Sequence, residues 1–235
     1  MPNLPSDMQY LFLIIIPALI GLWAQMRVTS AFRRWSQFRT ASNMTGAQTA
    51  SAILETAQIH DVEVVEINDM LGDHYDPTKK RLCLSTDVYH SPSVAAVGIA
   101  AHEVGHAIQH ARAYAPLQAR MAVVPATMFA SKMLPFLIIG AFIIPALGMT
   151  LIKVAVVCMV VLAAFQLITL PVEFDASRRA KIILKQMGIV QAGEEASGVN
   201  KVLDAAALTY VAALVATVGQ LLYYLSLLSG GSRRN

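Results

Sequence analysis

Long apolar runs alternate with shorter polar segments along this chain. Residues 8–26 carry no charge and match the length that a helix needs to cross a hydrocarbon core about 30 Å thick. Residues 121–170 form a second, nearly uncharged run that is too long for one crossing, so it predicts a transmembrane hairpin with its turn near Gly148. Residues 205–228 form a further uncharged run. The pattern therefore predicts four transmembrane helices.

Two polar segments separate these runs, and the larger one has its own internal pattern. Within residues 28–119, polar and apolar positions alternate at 61–67 and again at 81–85, which predicts two strands joined as a hairpin arm. A helix is expected to follow, from Ser91-Pro92 to about residue 112. Residues 171–204 form the second polar segment.

The composition supports a membrane protein and excludes several other classes. Hydrophobic residues make up 56% of the chain and charged residues 14%, where soluble domains carry about 25% charged residues. This balance excludes a disordered chain and a nucleic-acid-binding protein, so the lipid bilayer is the expected partner and nucleic acid is not. Cys83 and Cys158 are too few for a disulfide framework.

The distribution of basic residues predicts the orientation in the membrane. Arginines and lysines concentrate in the two polar segments, which the positive-inside rule places in the cytoplasm. The expected location is the cell (inner or plasma) membrane, crossed several times, with the N-terminus outside. Arg233 and Arg234 oppose this orientation weakly. The basic residues that favour it are Arg27, Arg33, Arg34, Arg39, Arg112, Arg120, Arg178, Arg179, Lys181 and Lys185.

The predicted helix after the strands contains His102-Glu103-Val104-Gly105-His106. Two histidines four residues apart stand on one face of a helix, so both imidazoles can bind one zinc ion. Glu103 then lies beside the metal and can act as general base on a zinc-activated water. The alternative is a helix that carries incidental polar residues on one face.

A catalytic zinc site needs a third protein ligand, and Glu173 is the strongest candidate. It ends the third predicted span, and two crossings after His106 return the chain to the same side of the membrane. Its alternative role is an ion pair with Arg178 or Arg179. His110 lies too far along the helix from His102 to share the metal, and Glu194 and Glu195 belong to a polar loop.

The segments AHEVGHAIQH (residues 101–110) and LPVEFDASRRA (residues 170–180) resemble the family of neutral zinc metallopeptidases of bacterial membranes, and the resemblance covers nearly the whole chain. More distantly, the chain is similar to the heat-shock and CAAX-processing membrane proteases. Those families place an aspartate four residues after the ligand glutamate, where this chain has Ser177. Asp175 is nearby, so either residue could orient a ligand from behind.

The expected protein is mainly α: an integral-membrane chain of about four transmembrane helices with a small cytoplasmic α+β, zincin-like catalytic unit. The resemblance implies a metalloprotease with one catalytic Zn²⁺, acting on membrane-associated proteins or peptides. The alternative is a non-catalytic scaffold or assembly factor that retains a zinc site. Residues 81–85 are the expected edge strand for the substrate, and either His74 or Tyr75 could stabilise the oxyanion. No pattern predicts the oligomeric state.

Overall fold

The structure, a computed structural model, describes residues 6–69 and 72–231. Eight α-helices, one π-helical segment and three strands are present in that part of the chain. The helices are α1 (Ser6–Tyr10), the π-helical segment (Leu11–Ile15), α2 (Ile16–Trp35), α3 (Gly46–Thr56), α4 (Thr86–Tyr89), α5 (Val94–Ala111), α6 (Ala115–Ile143), α7 (Pro145–Gln186) and α8 (Glu194–Gly231). The strands are β1 (Glu63–Ile67), β2 (His74–Asp76) and β3 (Arg81–Ser85).

Four helical stretches among the described residues are long and apolar enough to cross a membrane. They are Met8–Trp35, Ala115–Ile143, Pro145–Gln186 and Glu194–Ser229, with mean hydropathies of 1.9, 1.7, 2.6 and 1.8. The predicted fold class is confirmed: a mainly helical chain with four candidate spans and a small sheet. Arg233 and Arg234, which oppose the predicted orientation, lie outside the described residues.

The turn between the second and third candidate spans differs from the prediction. Helix α6 ends at Ile143 and α7 begins at Pro145, so the break lies at Ile144 rather than near Gly148. Proline disfavours helical backbone at the residue before it and suits the first position of a new helix. Pro125 and Pro135, by contrast, lie inside a continuous α6.

Helices α7 and α8 extend far beyond the apolar runs. Helix α7 continues past Leu170 to Gln186, and α8 begins at Glu194, well before residue 205. The polar segment 171–204 is therefore mostly helical.

The sheet pairs its strands differently from the predicted hairpin. Strands β1 and β3 run parallel, while β2 and β3 form the antiparallel hairpin, in the order β1-β3-β2. The prediction missed β2 because three residues are too few to show an alternation. The prediction that residues 81–85 form an edge strand is wrong, since β3 lies in the centre of the sheet.

The chain divides into two compact units, and the first consists mainly of the candidate spans. It comprises residues 1–24, 119–170 and 209–235. Within its described part, Ser226 donates a hydrogen bond to Gln9 at 3.0 Å, and the rings of Tyr10 and Tyr223 pack edge to face. We call it the membrane unit.

The second unit comprises residues 25–118 and 171–208 and contains the sheet, α3 and α5. We call it the catalytic unit, after the role that the sequence predicts for this part of the chain. Ile53 of α3, Leu82 and Leu84 of β3 and Val104 of α5 are almost fully buried in its core. Helix α5 begins after Ser93, whose hydroxyl accepts a hydrogen bond from the Ala96 N–H, so Ser93 caps the helix instead of Ser91.

Candidate metal centre

Two helices of the catalytic unit bring the predicted metal ligands together. Helix α5 presents His102 and His106 one turn apart, and α7 supplies Glu173. Glu173 Oε2 lies 3.2 Å from His102 Nε2 and 3.5 Å from His106 Nε2. The three potential ligand atoms all lie within 4.8 Å of one another, the one such group of three found among the described residues.

The geometry of this group fits zinc. Zinc binds histidine nitrogen and carboxylate oxygen at about 2.0–2.2 Å, so neighbouring ligands of a tetrahedral site stand about 3.3 Å apart. The two separations from Glu173 are close to that value. Glu173 is 2% exposed and His106 is 8% exposed, so the carboxylate faces the imidazoles in a largely water-free space. Two imidazoles and one carboxylate are also a donor set that catalytic zinc sites use.

The electrostatics around the group favour a cation. Burial alone would lower the pKa of His106, but the hydrogen bond to Glu173 and the charge of Glu103 outweigh it and raise that pKa above its usual value. Two carboxylates therefore surround the two imidazoles. A divalent cation placed between the ligand atoms would neutralise the negative charge of these two carboxylates.

Glu103 is buried beside the histidines without being part of the three-ligand group. It is 8% exposed, and burial raises the pKa of its carboxyl, opposed by the charges of His102 and His106. A carboxylate whose proton affinity is raised in this way is a better base than one in water. Its position next to His102 in the motif is the one expected of a proton acceptor.

A glycine allows α5 and α7 to approach each other closely. A Cβ atom built on Gly105 would lie 2.8 Å from the carbonyl oxygen of Ala176 and 3.0 Å from its Cα. Any larger residue would force the two helix backbones apart. Gly105 therefore has a structural role inside the motif, because it lets Glu173 reach the histidines.

The two histidines are hydrogen-bonded through their other ring nitrogens. His102 Nδ1 lies 3.1 Å from Ser177 Oγ, and His106 Nδ1 lies 3.1 Å from Gln109 Oε1. Gln109 in turn contacts Asp175 at 3.0 Å. Ser177 and Asp175 were predicted as alternatives, and the structure places both behind the ligands. The prediction missed Gln109, although its position three residues after His106 on the same helix could have suggested it.

Arg178 and Arg179, which the sequence offered as ion-pair partners of Glu173, pair with Asp175 instead. Arg178 binds Asp175 at 2.6 Å and Arg179 binds it at 2.5 Å. Glu173 faces the histidines, while Asp175 holds the two arginines.

The remaining candidate residues lie apart from the three-ligand group. Tyr75 Oη lies 2.8 Å from His110 Nδ1, so His110 pairs with the sheet. His74 is exposed and contacts the carbonyl of Gly72. Glu195 accepts hydrogen bonds from the backbone N–H groups of Ala41 and Gln191, which is a structural role at the start of α8.

Comparison with known proteins identifies the family of the chain. A family described as "Putative neutral zinc metallopeptidase" matches residues 10–229. A protein of Bacillus subtilis (strain 168) named "Putative membrane protease YugP" is 42% identical over 228 residues, which are 97% of this chain and 100% of that protein. No solved structure matches the chain. The family match confirms the resemblance predicted from residues 101–110 and 170–180.

Proposed function

The chain belongs to this family of neutral zinc metallopeptidases, and on that premise we propose that it hydrolyses peptide bonds at a single zinc ion. His102, His106 and Glu173 hold the ion, and Glu103 is the general base. The observation that carries the proposal is the separation of Glu173 Oε2 from the two Nε2 atoms, 3.2 and 3.5 Å, with the buried Glu103 beside them.

The chemistry divides between the ion and the side chains. Zinc, when bound, polarises the scissile carbonyl and lowers the pKa of a coordinated water. Glu103 accepts the proton of the attacking water and later returns it to the leaving amine. The burial of Glu103 excludes other water molecules. It also strengthens the attraction between the carboxylate and the positive charge that develops on the attacking water. Ser177 and Gln109 hold the two imidazoles in place.

A catalytic role fits the number of ligands better than a structural one. A structural zinc site has four protein ligands, while a catalytic site has three and an open position for water or substrate. The described residues offer a group of three. A non-catalytic scaffold or assembly factor that retains zinc would need a fourth ligand to close the site.

The place of Glu173 along α7 supports substrates at the membrane surface. The apolar run of the third span ends at Leu170, and Glu173 follows shortly after it in the sequence. Membrane-associated proteins or peptides delivered to the bilayer surface are therefore the proposed substrates. Nucleic acid is not expected to bind.

The sheet offers an edge for an extended substrate. Strand β2 is an outer strand, and its Tyr75 is hydrogen-bonded to His110 at the end of α5. We propose that the substrate adds to β2, because main-chain hydrogen bonds to an edge strand hold extended peptides. This replaces β3, which has strands on both sides.

The protein is a multi-pass membrane protein, and its sidedness is part of the proposal. The basic residues that flank the candidate spans favour a cytoplasmic site in the cell membrane.

The test separates proteolysis from metal binding. Glu103→Gln removes the base but no ligand, so it should lower cleavage of a model peptide about 10²- to 10⁴-fold and leave zinc content near that of the wild type. Glu173→Ala removes a ligand and should lose both zinc and activity. Zinc is measured by elemental analysis of the purified full chain, and cleavage with a fluorogenic peptide.

Glu194→Ala is the matched control, since Glu194 also lies on a long helix but outside the three-ligand group. It should keep both zinc and activity. Wild-type rates of cleavage by Glu103→Gln would contradict the proposed mechanism, and full zinc content in Glu173→Ala would contradict the ligand set.

A further inference from the structure

Gln109 occupies an unusual position for a glutamine. It lies on α5 one turn after His106 and is 0% exposed. A buried primary amide is costly unless its donors and its acceptor are all satisfied. Its three hydrogen bonds go to His106 Nδ1 at 3.1 Å, the Val172 carbonyl at 2.8 Å and Asp175 Oδ2 at 3.0 Å.

Two of these partners determine which way the amide points. The Val172 carbonyl oxygen can only accept a hydrogen bond, and so can an ionised Asp175 carboxylate. Both must face the two N–H groups of the Gln109 amide. The reversed amide would place its oxygen 2.8 and 3.0 Å from two other oxygens, which is repulsive. The Gln109 oxygen therefore faces His106.

The direction of the amide determines the state of the His106 ring. Facing an oxygen, His106 Nδ1 must carry the proton and donate it. In the neutral imidazole, Nε2 then has its lone pair free, and this is the nitrogen that lies 3.5 Å from Glu173. A metal binds the unprotonated nitrogen.

The contact behind His102 does not impose a direction in the same way. The Ser177 hydroxyl, 3.1 Å from His102 Nδ1, can either donate or accept a hydrogen bond. Gln109 therefore determines the tautomer of its histidine, whereas Ser177 does not.

Asp175 completes the arrangement from behind. Arg178 and Arg179 both bind its carboxylate, which keeps it ionised and accepting. The order of contacts runs from the arginines to Asp175, then to Gln109, and then to His106.

We propose that Gln109 is a positioning residue that, held by Asp175 and the Val172 carbonyl, keeps His106 in the tautomer whose Nε2 binds the metal. This inference rests on the proposed function, because it concerns a ligand of the proposed zinc ion. Gln109 acts here where metal sites more often use a carboxylate directly behind a histidine.

The experiment measures zinc affinity without catalysis. The full chain is purified in detergent, stripped of metal and titrated with Zn²⁺ in competition with a chelating dye. Gln109→Met keeps the length of the side chain but removes the acceptor and both donors, so affinity should fall about 10- to 100-fold. The visible absorption of the Co²⁺-loaded protein should change with it, since this spectrum reports ligand geometry.

A conservative variant tests the acceptor specifically. Gln109→Glu keeps a side-chain oxygen that can accept from His106 Nδ1, while the Val172 carbonyl loses the N–H group that the amide donates to it. It should recover most of the zinc affinity and the wild-type Co²⁺ spectrum. Asp175→Asn removes the anionic acceptor and should lower zinc affinity less than Gln109→Met does. This variant keeps the test informative if Gln109→Met does not fold.

Ile53→Val is the control for general loss of stability, because Ile53 is 1% exposed in the core of the catalytic unit and is not part of the three-ligand group. It should bind zinc as the wild type does. The inference is overturned if Gln109→Met binds zinc as tightly as the wild type, if Gln109→Glu is as weak as Gln109→Met, or if Ile53→Val is equally weak. Absence of zinc binding by the wild-type chain would instead overturn the proposed function, and the inference with it.

Discussion

The membrane unit and the catalytic unit use large apolar side chains in opposite ways. In the membrane unit, Phe136 and Phe142 are 70% and 79% exposed on the surface of the protein. In the catalytic unit, Leu82 and Leu84 are 0% exposed. The difference shows that the two units are built for different solvents, since a bilayer accepts apolar side chains that water would exclude.

Buried polar side chains differ between the units as well. In the catalytic unit, Gln109, Asp175 and Ser177 are buried and bind one another or the histidines. In the membrane unit, the amide oxygen of Gln166 and the hydroxyl of Thr169 are buried without a hydrogen-bond partner in the described structure. The Thr49 hydroxyl of the catalytic unit is buried in the same way, but it belongs to α3 and not to the group around the histidines. Apolar length identifies the membrane unit, whereas the hydrogen bonds between buried polar side chains around the histidines mark the candidate site in the catalytic unit.

The largest expected effect is an all-or-none difference in labelling that tests whether the bilayer surrounds the membrane unit. In a background of Cys83→Ala and Cys158→Ala, Ile144→Cys lies in the break between α6 and α7, and Gln186→Cys ends α7. An impermeant thiol reagent added to intact cells should label Ile144→Cys. It should label Gln186→Cys only after the cells are opened.

The alternative outcomes of this labelling are distinct. The reverse pattern would keep α7 as a span but invert the orientation, which would place the metal centre outside the cell. Labelling of both positions from the same side would mean that α7 does not cross the bilayer, and the comparison between the units would fail.

A matched pair of isoleucines should give the next largest effect. Ile53 is 1% exposed in the core of the catalytic unit, and Ile143 is 72% exposed at the end of α6. Ile53→Ala removes buried methyl groups and leaves a cavity, so it should lower the free energy of unfolding by about 2–5 kcal/mol. Ile143→Ala should change it by about 0.5 kcal/mol or less.

Unfolding of both variants is followed by intrinsic fluorescence in detergent, with zinc content as a check on the site. Equal losses from the two substitutions would mean that Ile143 is packed against another chain or segment rather than against lipid.

The sequence predicted the parts of the structure that depend on local pattern. Charge-free length predicted the candidate spans, and the four-residue spacing of His102 and His106 predicted two neighbouring imidazoles on one helix. The parts that depend on tertiary contact were harder to predict. Strand β2 has three residues and is stabilised by β3, so it shows no alternation of its own.

Contacts between α5 and α7 explain two further omissions. Gln109 resembles any polar residue near the end of a helix until Val172 and Asp175 are placed beside it. Gly105 resembles a weak point in α5 until the backbone of Ala176 is seen to occupy the space where a Cβ would lie. Glu173 was predicted because an even number of crossings fixes the side of the membrane on which it lies.

The smallest expected effect comes from two glycines of α5 and tests how closely the helices of the catalytic unit must pack. A Cβ on Gly105 would meet the Ala176 backbone at 2.8 Å, whereas the nearest atom to a Cβ on Gly98 would be Val199 Cγ1 at 3.5 Å, an ordinary contact. Gly105→Ala forces backbone to move and should cost about 1–3 kcal/mol of stability, with weaker zinc binding because Glu173 moves with α7. Gly98→Ala should leave zinc binding unchanged and stabilise the helix by up to about 1 kcal/mol, since alanine has the higher helix propensity. Melting temperatures and zinc titrations of the two variants are measured side by side. They distinguish a steric requirement at the α5–α7 crossing from a general intolerance of substitutions in α5. A Gly105→Ala protein with wild-type zinc affinity would show that the helices can separate without loss of the third ligand.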